Sequence, residues 1–205
     1  MAEIKLTKTE LRLHQVKLER LQKYLPTLQL KKAMLQIEVI QSQAEIDLLK
    51  DAFGVIEEKV SKFSSLLTDK RVSDIFSATK IDRVETTHEN IAGVDIPLFK
   101  NVIFEESTYS LFDTPLWFES AIVKIKELVI YREKIRLMEE KKRALERELR
   151  DVSIRVNLFE KILIPRAQES INKIKIFLGD QQLAAVSQSK IAKKKILLRN
   201  KERKR

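Results

Sequence analysis

The chain has 205 residues, 34% of them charged and 43% hydrophobic, with three glycines, four prolines and no cysteine. This charge-rich, turn-poor composition belongs to long helices and argues against one round core, while the missing cysteines exclude disulfides, thiolate metal sites and cysteine catalysis and suit a reducing, cytoplasmic setting. Met1 opens directly into a charged segment, and no apolar run approaches the roughly 20 residues of a membrane helix. Neither a signal peptide nor direct membrane insertion is therefore expected, and membrane association would be peripheral, through a partner.

Starting at Ile4 and stepping by sevens, the positions to Leu67 are apolar in nine of ten cases, the exception being Lys32. The interleaved positions from Thr7 to Phe63 are apolar in six of nine. At the overall apolar frequency roughly eight of these nineteen would be apolar by chance, and fifteen are, so a coiled-coil helix is predicted over 1–67. Pro26 interrupts it, removing a backbone donor; the open readings are a simple kink or break and a functional curvature.

Between 68 and 115 the heptad is lost and β-branched and turn residues collect. Val84–Thr87 and Val94–Phe99, separated by a stretch holding Asn90 and Gly93, read as short strands of a hairpin. Pro97 confines its strand to an edge. This central head is expected to cap the end of the rod opposite the termini, with its apolar residues either binding a partner or packing on the rod.

A second ladder runs from Ala121 to Leu163, apolar at eleven of thirteen positions, with Lys124 and Lys142 the exceptions. Beyond Leu163 the apolar positions become Ala167, Ile171, Ile174 and Leu178, a change of step like an insertion that locally unwinds a supercoil. Pro165 lies at this point. Arms running from Ile4 to Leu67 and from Leu116 to Leu178 are each roughly 95 Å long if unbroken. A narrow apolar seam has nowhere to go in water except against an intramolecular partner, so the fold expected is all-α, a long antiparallel two-helix coiled coil with a small hairpin-containing head. Lys32 and Lys142, at seam positions, are expected to specify register, their stems on apolar surface and their ammonium groups in water.

The remainder, 181–205, is a basic tail. From Lys190 to Arg205 nine Lys/Arg stand against one acid, Glu202, giving +8 of the net +10. The rest of the chain is nearly balanced, which speaks against an electrostatic footprint for nucleic acid over the whole surface.

Catalytic chemistry finds no foothold. Gly54, Gly93 and Gly179 are isolated, so no glycine-rich phosphate loop can be built, and His14 and His88 offer no zinc spacing. The abundant acids sit among Lys and Arg on helix faces, as in Lys134–Arg150, where a solvated surface is the ordinary explanation. No catalytic residue, cofactor or metal is expected.

Three stretches carry a resemblance: Thr7-Lys8-Thr9-Glu10-Leu11 leading to Leu30-Lys31-Lys32; Glu89-Asn90-Ile91-Ala92-Gly93-Val94-Asp95-Ile96-Pro97; and Arg155-Val156-Asn157-Leu158-Phe159-Glu160 leading to Ile164-Pro165-Arg166. In order and spacing they resemble the D subunits of V-type and A-type rotary ATPases over essentially the full chain. Ala92, where that family usually has a larger apolar residue, and Pro26 depart from the pattern. The resemblance implies a non-catalytic central rotor shaft whose paired termini enter the hexamer of A and B subunits. Its other end would meet the F subunit and the membrane-ring docking subunit, with ions driven across the membrane by ATP hydrolysis or the reverse. The partner-binding residues it points to are Gly93, Val94, Ile96, Pro97 and Phe99 in the head, Pro165 and Arg166 in the second arm, and Lys193, Lys194 and Lys195 in the tail. The rival reading is a basic coiled-coil scaffold for nucleic acid or an anionic membrane surface, which predicts steeply salt-dependent binding.

Overall fold

The computed structural model of the protein describes residues 5–62, 73–106 and 115–202. Its elements are α1 (Lys8–Ser61), the short α2 (Ser73–Ala78), strands β1 (Ile81–Ile91) and β2 (Val94–Phe104), α3 (Phe118–Leu158), one π-helical turn (Phe159–Leu163) and α4 (Ile164–Glu202). They divide into two compact units, one of Met1–Leu30 with Ser153–Arg205 and one of Lys31–Val152. Ile4, Phe63 and Leu67 of the first ladder lie outside the described residues.

α1 begins where a Thr-x-x-Glu sequence allows it. The Glu10 amide donates to the Thr7 hydroxyl at 3.3 Å, satisfying one of the orphan donors of the first turn. From Leu11 to Val60 every one of the fifteen ladder positions is buried or half-buried, with Leu35, Ser42 and Ile46 almost fully so. Pro26 does not split the helix. The Thr27 hydroxyl donates to the Tyr24 carbonyl at 2.7 Å, so a side chain bonds the backbone next to the position where proline offers no N–H.

In the Lys31–Val152 unit, Lys31 reaches Glu148, Gln43 reaches Lys142 and Lys50 reaches Glu139. The α1 numbers rise as the α3 numbers fall, which makes the pair antiparallel. Lys142, at its seam position, crosses the pair and donates to Gln43 Oε1 at 2.6 Å, so its ammonium is bonded to α1 and not left in water. The ion pair to Glu148 belongs to Lys31 rather than to its neighbour Lys32.

α3 is buried along two lines instead of one. The predicted seam includes Ala121, Leu145 and Val152, and a second line includes Phe118, Ile122, Glu133, Leu137 and Lys141. Ile75 and Ala78 of α2 form a small core with Phe118 and Ile122, joined by Trp117 and Ile125. The hairpin accounts for more of this line. Lys126 lies over the Phe104 ring at 5.0 Å, Lys134 over the Phe99 ring at 5.3 Å, and the hairpin turn reaches Lys31. The head therefore does not cap the end of a rod; it lies along the helix pair. Eleven-residue strands rising about 3.3 Å per residue match the stretch of α3 from Lys126 to Glu148 at about 1.5 Å per residue.

In the Met1–Leu30 with Ser153–Arg205 unit, Leu21, Val156, Ala167, Ile171 and Ile174 are buried. The change of step after Leu163 has a definite cause. The Ile164 amide bonds to the Phe159 carbonyl, five residues back, so the turn holds one extra residue. Continuing the old ladder would place its members at 166, 170, 173 and 177, of which only Ser170 is buried, and the apolar burial falls one residue later, at Ala167, Ile171, Ile174 and Leu178. Pro165 explains the location, because a widened turn relieves the clash of its ring with the preceding turn. Residues 181–200 of α4 are exposed throughout.

Deleting Ile162 together with Pro165→Ala is expected to restore a regular helix with both ladders in phase, shifting the urea midpoint of the far-UV CD transition only slightly. Deleting exposed Arg147 instead turns the rest of the seam by about 100° and should cost more than about 4 kcal/mol. Equal losses from the two deletions would show that the π turn does not set the phase.

Candidate partner-binding surfaces

The sequence-predicted contact residues fall in three places. Gly93, Val94, Ile96, Pro97 and Phe99 belong to the hairpin, Pro165 and Arg166 follow the π turn, and Lys193–Lys195 lie in the exposed part of α4. Arg166 and Lys193 are about 40 Å apart along the helix axis at 1.5 Å per residue, so they form no common site.

The hairpin is built from its turn. Ile91 pairs with Val94, leaving Ala92 and Gly93 as a two-residue loop with φ of 51° and 83°. Two positive φ values mark the hairpin turn whose twist matches the strands, and for Ala92 that backbone costs about 1 kcal/mol. Asn90 offsets the strain: its Oδ1 accepts the Gly93 amide at 3.0 Å and its Nδ2 donates to Asp95 at 2.6 Å. Register irregularities between Ile81 and Arg83 and between Glu85 and Thr86 bend the ribbon along its length. Pro97 is tolerated because a two-stranded sheet leaves β2 with a free edge.

Ile96 is fully buried and Phe99 half-buried beneath Lys134, so both face the helix pair and not a neighbour. Thr86–Asn90 of β1 and Gly93 are exposed, and Val94 and Pro97 half-exposed. Two residues that sequence reasoning left out of the site meet beside the turn. Lys31 Nζ stands 2.7 Å from Glu148 Oε1 and 3.7 Å from where a Cβ on Gly93 would lie. Its side chain thus joins α1 to α3 beside the turn, with both charges about 70% covered and screened less than a surface pair. Lys31 stood within the resembling motif, yet nothing in its spacing pointed to the hairpin.

Elsewhere the electrostatics are ordinary. The hydrogen bond from Lys50 holds the Glu139 carboxyl below its usual range, and buried Glu133 is flanked by Arg136 at 2.7 Å and Arg132 at 3.8 Å. A groove of about 580 Å³ opens where α1 ends against the start of α3, lined by Lys59, Lys62, Glu119, Ser120, Val123 and Lys124. Among the described residues there is no group of three metal-ligating side chains, and no helix is long and apolar enough to cross a membrane. Pro165 is half-buried and Arg166 exposed, its carbonyl taken by the Ser170 hydroxyl at 2.8 Å.

The family pattern of the ATP synthase D subunit matches residues 10–194. The V-type ATP synthase D subunit of Chlamydia caviae is 46% identical over 202 residues, covering 98% of this chain and 97% of that protein. Those of Chlamydia abortus, at 45% over 202 residues, and Chlamydia pneumoniae, at 43% over 201, align over almost the same extent.

Replacing Lys31 and Glu148 by Ala, singly and together, is expected to give a coupling free energy of about 1 kcal/mol in urea denaturation. Strictly additive losses would mean that Lys31 acts through the hairpin and not through Glu148.

Proposed function

The chain belongs to the family of ATP synthase D subunits, and we propose that it is the non-catalytic central shaft of a V/A-type rotary ATPase, passing torque between the nucleotide-hydrolysing hexamer and the membrane ion ring. Family membership over nearly the whole chain carries this reading. The antiparallel helix pair supports it, since torque transmission needs a long stiff element more than it needs a chemical site.

In this arrangement the paired terminal segments enter the hexamer of A and B subunits, while the F subunit and the ring-docking subunit hold the other end. The complex is peripheral to the membrane on its cytoplasmic side. The exposed Gly93 and the half-exposed Val94 and Pro97 face a neighbouring subunit, and Ile96 and Phe99 hold the hairpin on α3 so that they can. Pro165 and Arg166, at the change of helical phase, meet the hexamer. The test is composition: the ATP-hydrolysing complex, purified from its native cell through a tag on the nucleotide-binding subunit, should contain one copy of this chain per three of that subunit by native mass spectrometry. Absence of the chain, or a three-to-three ratio, would overturn the shaft.

Lys193, Lys194 and Lys195 supply a diffuse attraction to acidic surfaces lining the axial cavity. Long-range charge has no fixed register, whereas knobs in holes do, so this attraction tolerates rotation. Removing 191–205 is expected to lower retention of the chain in the complex severalfold at 0.3 M salt relative to the full chain. Unchanged assembly and unchanged ATP-driven rotation would remove that role.

A further inference from the structure

α1 carries a second heptad ladder that the fold does not use. Met34, Ile37, Ala44, Leu48 and Val55 fall on it, with Gln41 and Asp51 at the two remaining steps. It lies about 150° round the helix from the seam, and all seven positions are exposed, Leu48 at 70% and Ile37 and Val55 at 55%. Single exposed aliphatic residues are ordinary, but five in register along roughly 30 Å form a continuous strip. The hairpin does not cover it, because its rings lie over α3.

Period and charge together identify the occupant. A seven-residue repeat presents knobs and holes to another helix, and only a helix returns an apolar residue at each step. Acids line the strip: Glu38 and Glu45 on one side, Asp47 on the other, and Asp51 on the strip itself. Asp47 accepts a hydrogen bond from Gln43, and among the described residues none of these four takes part in an ion pair. Acidic flanks repel an anionic membrane, and two copies of the same strip would set acids against acids.

We propose that the Met34–Val55 face of α1 docks an amphipathic helix of another polypeptide, apolar along its own heptad and lined with Lys or Arg on both flanks. The strip replaces water with aliphatic contact, and the flanking charges set the orientation and reject acidic helices. The inference rests on α1 itself and holds whether or not the chain is a rotor shaft.

A photo-crosslinking amino acid placed at Met34, at Leu48 or, as a control a third of a turn away, at Gln36 tests this in the complex isolated from the native cell. Met34 and Leu48 should capture peptides of one partner helix about 14 residues apart, carrying basic residues beside the apolar repeat, and Gln36 should not capture that helix. The triple change Glu38→Lys, Glu45→Lys, Asp47→Lys, at exposed or half-buried positions outside the predicted seam, should reduce capture at least tenfold with an unchanged far-UV CD spectrum. Capture of a second copy of this chain, of peptides without the 14-residue offset, or of nothing in a complex shown to contain the chain would overturn the proposal. An offset basic helix recovered without any ATPase subunits would instead support the docking face and sink the shaft.

Discussion

Burial of one narrow stripe on each long helix is the constraint on which everything else depends. A helix tens of residues long has little stability of its own in water, and intrinsic propensity adds only tenths of a kcal/mol per residue. A buried Leu or Ile adds roughly 1.5 to 3 kcal/mol, so residues such as Leu35, Ile46, Leu145 and Val152 decide the fold by finding one another. The stripe must then stay on the facing side over the whole length. Where Pro165 disturbs the backbone, the helix takes in one extra residue, and the apolar positions after it have moved by the same amount.

The hairpin solves a second burial problem, on α3. A single seam would leave Phe118, Ile122 and Leu137 in water, on a face the seam does not use. α2 and β2 cover that line with Ile75, Ala78, Ile96 and Val102. Because the line also contains Lys126, Glu133, Lys134 and Lys141, its contacts are mixed, with ammonium groups over aromatic rings and lysine stems on apolar surface. Such a face binds less strongly than an apolar seam, in keeping with a flanking ribbon beside the main pair.

That difference explains what could be read in advance. The heptads, the antiparallel pairing and the hairpin strands follow from periods of seven and two, which binary patterning records directly. The slip after Leu163 was visible as a change of phase, but hydropathy does not distinguish a kink from a π turn. The docking of the hairpin along α3 was not legible, because a line through Lys126, Glu133, Lys134 and Lys141 reads as solvated surface until a neighbour is known. For the same reason the choice between partner contact and packing on the rod stayed open for Ile96, which is fully buried. The contact through Lys31 was hidden by the 100° that separates it from Lys32: only the latter sits on the ladder, while the former points where Glu148 and the turn at Gly93 meet.

Apolar burial alone does not fix the register. Sliding one helix past the other by seven residues again sets apolar on apolar at most steps, so the seam discriminates weakly between registers. The cross-links Lys31–Glu148, Gln43–Lys142 and Lys50–Glu139 discriminate better, because a slip of one heptad breaks all three and returns only one like contact, Glu146 to Lys50 in one direction or Gln36 to Lys142 in the other. With the more exposed Lys50–Glu139 pair discounted for solvent screening and the regained contact subtracted, the net preference is about 1 kcal/mol, roughly fivefold. The hairpin adds to it, since it touches Lys31 on one helix and Lys126 and Lys134 on the other and would be sheared by any slip. Stability comes from the seam and uniqueness from the polar contacts. A shaft of the kind proposed would need both, because a pair free to slide would dissipate a twist applied to it.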